Sequence, residues 1–223
     1  MAQLIALDIP APHGILEGLL RLPDAAPDGS PTSPKMAAVV CHPHPLGGGT
    51  MHNKVVFRVA QALCDLGMPT LRFNFRGVGR STGVHDSGRG EGDDVRAALD
   101  TLAARYPGVP LCLGGFSFGS WVGLPIGAAD PRVRQLIGVG VPVSSLAVDT
   151  LIGSHKSKLI VQGANDEYGQ QADLQTWFAR LAPPKQLTII PGADHFFTNQ
   201  QPQLYDAVVA YFRSGASALG TVS

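Results

Sequence analysis

One serine in this chain has the glycine spacing that a nucleophilic side chain needs. In Gly115-Phe116-Ser117-Phe118-Gly119, the serine follows an apolar run and has a glycine two residues away on each side. This spacing is typical of a sharp turn between a strand and a helix that exposes the serine hydroxyl. Because glycine and serine are also common turn residues, the alternative is a plain turn without chemistry. The pattern therefore matters only if a base, an acid and oxyanion donors reach the same place.

Histidine is the side chain that can take and return the serine proton near neutral pH. The chain has seven histidines. His195 follows the last predicted strand, so we expect its loop to reach the same sheet edge as Ser117. His13 and His155 lie away from strand ends and are expected to be solvated, and His85 lies in a polar loop that at most borders the pocket. His195 is the predicted base.

A carboxylate must then orient the histidine and stabilise its charged form. Asp166 follows the predicted strand 158–162, one loop away from His195. Two other acids are close in sequence. Asp194 is too near His195 along the chain for its side chain to meet the ring, and Glu167 would point elsewhere if Asp166 faces the site. Asp166 is therefore the predicted acid.

Acyl transfer also needs N–H donors aimed at the oxyanion of the tetrahedral intermediate. Phe118, which follows the serine at a helix start, is expected to supply one backbone N–H. The loop after the predicted strand 37–41 is expected to supply the other. Since Pro43 and Pro45 have no N–H, His44 is the only backbone donor in that Pro-His-Pro stretch. The alternatives for this second donor are Leu46 and Gly47.

The strands and helices that must hold these residues alternate along the chain. Apolar runs predict strands at 16–22, 37–41, 70–75, 111–113, 135–141, 158–162 and 186–190. Helical spacing predicts helices at 53–66, 93–106, directly after Ser117, and at 173–181 and 202–213. This alternation predicts one α/β domain over 1–223, with a mostly parallel central sheet and helices on both faces. Residues 214–223 are small and polar and predict a frayed tail.

Composition argues against several classes of protein. The 223 residues include 17 basic and 17 acidic side chains, and the basic ones are scattered, which argues against nucleic acid or an anionic membrane as a partner. The N-terminus does not resemble a signal peptide, and no apolar run approaches the roughly 20 residues of a membrane span. Cys41, Cys64 and Cys112 lie in apolar segments, which favours reduced core cysteines and a cytoplasmic protein. We expect a neutral small-molecule substrate.

Two further segments carry a family resemblance. His42-Pro43-His44-Pro45 with residues 48–56, and residues 72–81, resemble the α/β-hydrolase superfamily, and more narrowly a bacterial group of small serine hydrolases without a lid. The resemblance covers about 16–213 and implies an α/β-hydrolase fold and carboxylester hydrolase activity with Ser117, Asp166 and His195 as the catalytic triad. Their chain order is the order of that fold. The glycines at 47–49 favour a mobile oxyanion loop.

The missing lid is also predicted from spacing, because residues 142–157 are too few for a cap domain between the neighbouring strands. An open pocket is therefore expected. Its candidate lining residues are Leu46, Phe118, Trp121, Val143, Leu146, Phe196 and Phe197. The predicted function is a serine hydrolase for a small or medium carboxylic ester that needs no metal and no organic cofactor. A thioesterase, an amidase, an acyltransferase or a binding protein without catalysis are the alternatives.

Two other motifs predict different chemistry less well. His42 and His44 have the spacing of half a metal site, but no further ligands are evident near them in the sequence. The glycines of 77–83 suggest a phosphate loop, yet the third glycine comes one residue late and the lysine of such loops is missing. Nucleotide and metal binding are therefore not predicted.

Overall fold

The fold was obtained as a computed structural model that describes residues 3–24, 33–143 and 146–215, with the side chains of 146–148 left out. Its strands are β1 Leu4–Ala11, β2 Gly14–Arg21, β3 Ala37–Cys41, β4 Thr70–Phe73, β5 Leu111–Phe116, β6 Val133–Val139, β7 Ser157–Gly163 and β8 Lys185–Ile190. They form one sheet in the order β1-β2-β4-β3-β5-β6-β7-β8. The strands from β4 onward in this order pair in parallel. The predicted α/β-hydrolase fold with a mostly parallel sheet is confirmed.

The sequence prediction missed the first strand. β1 pairs antiparallel with β2 over its whole length, from Leu4 opposite Arg21 to Ala11 opposite Gly14, and β2 pairs antiparallel with β4. Alternate residues of β1 are less exposed than their neighbours, and Ile9 is fully buried. This period of two is the sign of a strand with one covered face, and it was visible in the first ten residues.

Helices cover both faces of the sheet. They are α1 Lys54–Asp65, α2 Arg89–Arg105, α3 Phe118–Ala129, α4 Gln171–Arg180 and α5 Gln201–Arg213. One apolar cluster joins one face of the sheet to α2, α3 and α4, and the other joins the opposite face to α1 and α5. α1 begins where predicted, because the Asn53 side-chain oxygen accepts from the Val55 and Val56 N–H groups.

α2 begins four residues before its predicted start. The buried carboxylate of Glu91 accepts hydrogen bonds from the Gly88 and Asp86 N–H groups, both at 2.8 Å, and so holds the first turn. At the other end of the chain, Ser214 and Gly215 form a turn after α5. The rest of the predicted tail, 216–223, lies outside the described residues.

No cap domain interrupts the sheet in the described chain. Between β6 and β7, the described residues contain one 3-10 segment, Leu146–Leu151. The site at the carboxyl ends of the parallel strands is therefore not covered by a helical insertion. Among the helices of the described ranges, none has both the length and the apolar character needed to cross a membrane.

The start of α3 packs directly on the end of β3. A Cβ atom at Gly119 would lie 2.5 Å from the His42 carbonyl oxygen and 2.6 Å from that of Cys41. Farther along the same helix, a Cβ at Gly123 would meet its nearest neighbour, the Cys41 sulfur, at 3.4 Å. A backbone contact therefore requires glycine at position 119 but not at 123. The close approach at Gly119 sets the separation of β3 and α3.

Gly119→Ala is predicted to destabilise the protein, because the new methyl group must push apart two backbone segments. We expect the free energy of unfolding to fall by about 2 kcal/mol or more, as for other overpacked sites. Gly123→Ala is the matched control, since it adds the same methyl group in ordinary contact and removes a helix-interior glycine, which stabilises by up to about 1 kcal/mol. Urea unfolding measures both. Equal stabilities of the two variants would contradict the packing argument.

Candidate active site

Ser117 occupies a strained turn between β5 and α3. Its backbone has φ 52° and ψ −120°, a left-handed conformation that is rare for a residue with a side chain. Its N–H donates to the Val139 carbonyl at 2.9 Å, which fixes the turn against β6. A Cβ at Gly115 would lie 2.3 Å from the Gly119 carbonyl oxygen. The glycine spacing around the serine thus follows from how tightly the chain folds back here.

The three residues predicted as base, acid and nucleophile lie in one hydrogen-bonded row. His195 Nε2 is 2.9 Å from Ser117 Oγ, and His195 Nδ1 is 2.8 Å from Asp166 Oδ2. An ionised carboxylate can only accept, so Nδ1 carries the ring proton of the neutral histidine. Nε2 is then free to accept the serine proton. Asp166 and His195 are both buried.

The Asp166 carboxylate is held by two further donors. Gln162 Nε2 donates to Oδ2 and the Tyr168 N–H donates to Oδ1, at 2.8 and 2.9 Å. The Gln162 side-chain oxygen also accepts from the Val141 N–H at 2.9 Å, which ties the acid to the end of β6. The sequence prediction missed Gln162, although a glutamine inside the apolar run of β7 was a visible signal.

The two alternative acids lie elsewhere. Glu167 is exposed. Asp194 Oδ1 accepts from the Thr198 N–H at 2.9 Å, and this backbone hydrogen bond lowers the pKa of Asp194 below its usual value. Asp194 therefore organises the turn that carries His195, as expected from its place in the sequence.

The loops of Asp166 and His195 are joined through their backbones. The Asn165 N–H donates to the Ala193 carbonyl at 2.8 Å, and the Ala164 N–H donates to that of Ile190 at 3.0 Å. A Cβ at Gly163 would lie 2.4 Å from the Ala193 oxygen. Side chains are thus excluded between these loops, and the acid is held next to the base by main-chain contacts.

Two N–H groups remain available where the oxyanion donors were predicted. In the described part of the chain, neither the Phe118 N–H nor the His44 N–H has a hydrogen-bond acceptor. The alternative donors are occupied: the Gly47 N–H donates to the His44 carbonyl at 3.0 Å, and the Leu46 N–H donates to His44 Nδ1 at 3.2 Å. Of the residues considered for the second donor, His44 is the one whose N–H is free.

The loop after β3 is held by hydrogen bonds within its own backbone. The His44 carbonyl accepts from both the Gly47 and Gly49 N–H groups at 3.0 Å. A Cβ at Gly49 would lie 2.2 Å from the Pro43 oxygen, so this glycine permits a close turn. These contacts restrain the backbone, and the expectation that the glycines favour a mobile loop stays a prediction.

His13 is partly buried rather than solvated, His85 is also partly buried, and His155 is exposed as expected. The His85 ring lies 5.1 Å from that of His44 and 5.6 Å from that of Phe118, and His85 Nδ1 is 2.8 Å from the buried Glu91 carboxylate. His13 Nδ1 is 3.6 Å from Asp94. The place of His13 away from strand ends favoured solvent because the sequence does not show that Asp94 lies buried next to it.

His42 is fully buried directly after β3, and its hydrogen-bond partners fix its protonation. Nδ1 is 2.6 Å from the Pro43 carbonyl and must donate to it, while Nε2 accepts from the Phe75 N–H at 3.0 Å. Burial lowers the pKa of His42 to about 4. Both nitrogens are therefore occupied, which argues against His42 as a metal ligand. Among the described residues, no group of three or more His, Cys, Asp or Glu could hold a metal ion.

An open cavity of about 560 Å³ lies over the serine. Its described lining is Pro43, His44, Gly47, Gly48, Gly49, Asn53, Ser117, Phe118, Trp121, Pro142, Tyr168, His195 and Phe196. Trp121, Phe118 and Phe196 were predicted here.

Four of the candidate lining residues lie elsewhere or outside the described side chains. Leu46 is 76% exposed on the loop, Val143 packs against the core and Phe197 is fully buried. The Leu146 side chain lies outside the described residues. Phe197 differs from expectation because it is buried while its neighbour Phe196 lines the cavity.

Protonation of His42 is predicted to reduce stability in acid. Its pKa is about 4 in the folded protein and near 6.5 when unfolded, so the unfolded chain binds the extra proton first as pH falls. The contribution is complete above pH 6.5, and roughly 3 kcal/mol is lost as pH falls to about 4. His42→Gln keeps a donor and an acceptor but does not titrate.

Urea unfolding from pH 7 to pH 4 should therefore show a steeper fall for the native chain than for His42→Gln. The NMR signal of the His42 ring should stay that of neutral imidazole down to about pH 5. Parallel stability curves together with a ring that titrates near pH 6.5 would refute the assignment.

The fold agrees with comparisons to known proteins. A family model described as an alpha/beta hydrolase domain matches residues 36–207. An uncharacterized protein of Rickettsia prowazekii is 36% identical over an alignment of 210 residues that covers 90% of this chain and 85% of that protein. A structure from Xanthomonas campestris, described as a serine hydrolase without lid, has a TM-score of 0.86 at 34% identity and covers 99% of this chain and 97% of its own.

A structure described as an alpha-beta serine hydrolase homologue from Coxiella burnetii has a TM-score of 0.84 at 36% identity, covering 92% of this chain and 95% of that one. The range matched by the family model runs from just before β3 into α5. The chain therefore belongs to the α/β-hydrolase family and is a hydrolase of its serine type.

Proposed function

We propose that this protein hydrolyses a small or medium, uncharged carboxylic ester through an acyl-enzyme on Ser117. The observation that carries the proposal is the row of hydrogen bonds from Ser117 Oγ through His195 to Asp166, at 2.9 and 2.8 Å. A serine hydroxyl becomes a useful nucleophile when a neighbouring base accepts its proton. The orientation of His195 by Asp166 leaves Nε2 available for that task.

In the proposed mechanism, Ser117 Oγ attacks the ester carbonyl while His195 Nε2 takes the hydroxyl proton. The N–H groups of Phe118 and His44 hold the oxyanion, and the position of Phe118 at the start of α3 adds the positive end of a helix dipole. His195 then gives its proton to the departing alcohol. Water takes the place of the alcohol, attacks the acyl group with His195 as base, and releases the acid and free Ser117.

The surroundings of the site support an uncharged substrate, such as a neutral ester. No Asp, Glu, Lys or Arg is among the described residues that line the cavity. A cavity of about 560 Å³ is within the ordinary range for small-molecule sites. The same residues could attack a thioester or an amide, so an ester and its matched thioester and amide should be compared in the assays below.

Ser117 is predicted to be the residue that a fluorophosphonate probe labels. The probe reacts with a serine activated by its neighbouring base, so intact protein should carry one label and peptide mapping should place it on Ser117. Ser117→Ala should carry none. Ser120, whose hydroxyl donates to the Ser117 carbonyl at 2.6 Å, supplies the control Ser120→Ala, which should still be labelled. Label on any other serine would show that Ser117 is not the nucleophile.

Asp166→Asn is predicted to reduce turnover by about 10⁴-fold, because an amide at this position no longer selects the histidine tautomer with Nε2 free. Glu167→Gln makes the same chemical change at the adjacent exposed carboxylate and should leave turnover near that of the native chain. Steady-state ester hydrolysis, with circular dichroism to verify folding, distinguishes them. A larger loss in Glu167→Gln than in Asp166→Asn would mean that the acid is misassigned.

A further inference from the structure

The aromatic rings of Tyr168 and Phe196 lie beside His195 in the open cavity. The Tyr168 ring centroid lies 4.6 Å from that of His195, and the Phe196 ring lies 5.2 Å away, edge to face. Both side chains line the cavity, yet they are 53% and 51% exposed. A third ring, Phe116, lies 5.0 Å from His195 but is buried beneath it. Tyr168 and Phe196 are thus available to contact a bound molecule.

The chemistry of ester cleavage says which part of a substrate meets these rings. The departing alcohol oxygen must receive its proton from His195 Nε2, so the alcohol has to lie beside the histidine. The carbonyl oxygen lies instead toward the N–H groups of His44 and Phe118. Tyr168 and Phe196 therefore border the alcohol part of the ester, and the same place receives the molecule that attacks the acyl-enzyme.

The charge at this place favours an uncharged alcohol. The described lining of the cavity carries no carboxylate that could pair with a cation and no Lys or Arg that could pair with an anion. The imidazole of His44 adds no fixed charge, because burial and the neighbouring His85 lower its pKa. The affinity for an alcohol then comes from buried apolar area and from contacts with the aromatic rings.

We propose that the space between Tyr168, Phe196 and His195 is an acceptor site for uncharged aromatic alcohols, and that the protein transfers acyl groups to them in competition with water. This proposal rests on the acyl-enzyme proposed above. The alcohol hydroxyl gives its proton to His195 Nε2, and its oxygen forms a bond to the acyl carbon. The bond to Ser117 Oγ then breaks, and the proton passes to that oxygen. The products are a new ester and the free serine.

The openness of the site makes this exchange possible. The described segment between β6 and β7 contains no cap that would close over the first product, so an alcohol can enter while the acyl group is still attached. Water needs no binding surface to react, whereas an alcohol competes only if it is held next to Nε2. A preference between alcohols is therefore a direct measure of the acceptor site.

The test uses 4-nitrophenyl acetate as acyl donor with 2-phenylethanol, ethanol and choline at equal concentrations. Liberated nitrophenol reports acyl-enzyme formation, and chromatography measures acetate and each acetate ester. We expect 2-phenylethyl acetate to exceed both ethyl acetate and acetylcholine by about tenfold, as ring contacts and apolar burial predict. Equal yields, or a preference for choline, would overturn the proposal.

Variants of the two exposed ring residues show where the preference between alcohols arises. Phe196→Ala and Tyr168→Leu should each reduce the ratio of 2-phenylethyl to ethyl ester several-fold, and the Tyr168 N–H that holds Asp166 is kept in the second variant. Phe57→Ala is the control, because it removes an aromatic ring that is 38% exposed on α1 and is not among the described lining residues. The ratio of 2-phenylethyl to ethyl ester in this variant should equal that of the native chain. Both esters arise from one acyl-enzyme, which makes the ratio independent of the amount of folded protein.

The two proposals fail in different ways. If nitrophenol is not released and Ser117 is not labelled, the acyl-enzyme itself is wrong and the acceptor site falls with it. If nitrophenol is released at the same rate with and without the alcohols but acetate is the sole product, the hydrolase proposal stands and the acceptor site is refuted. A ratio unchanged in both Phe196→Ala and Tyr168→Leu would also refute the site.

Discussion

The contact between the end of β3 and the first turn of α3 is the constraint on which the site depends. Gly119 faces the carbonyls of Cys41 and His42, and this approach leaves no room for a side chain. β3 continues into the loop that carries the His44 N–H, and α3 begins with the Phe118 N–H. Two donors from distant parts of the sequence are therefore brought to one place by backbone packing alone.

The acid and the base are positioned in a different way. Their loops meet through main-chain hydrogen bonds at Ala193 and Ile190, and Gln162 links the Asp166 carboxylate to the Val141 N–H. The fully buried Gln162 satisfies the Val141 N–H and donates to the carboxylate, so its removal would leave that N–H without a partner and take one donor from Asp166. The end of β6 is thereby connected to the hydrogen-bonded row of Ser117, His195 and Asp166.

The sequence predicted what depends on local pattern. The spacing around Ser117, the strand-to-helix alternation and the placement of Asp166 and His195 after strands all follow from periodicity and turn chemistry. Gln162, Tyr168 and Glu91 were missed because their roles arise from partners that are distant in sequence, and a single polar side chain does not reveal its partner. Leu46 was placed in the cavity because adjacency in sequence does not say which way a loop side chain points.

Tyr168 combines two functions that rest on different atoms. Its ring borders the cavity, while its N–H donates to Asp166. A backbone N–H is the same in every residue except proline, so the side chain at this position can change without loss of that hydrogen bond. The cavity wall at this position can therefore change during evolution, or be redesigned in the laboratory, while the hydrogen bond to the proposed acid is kept.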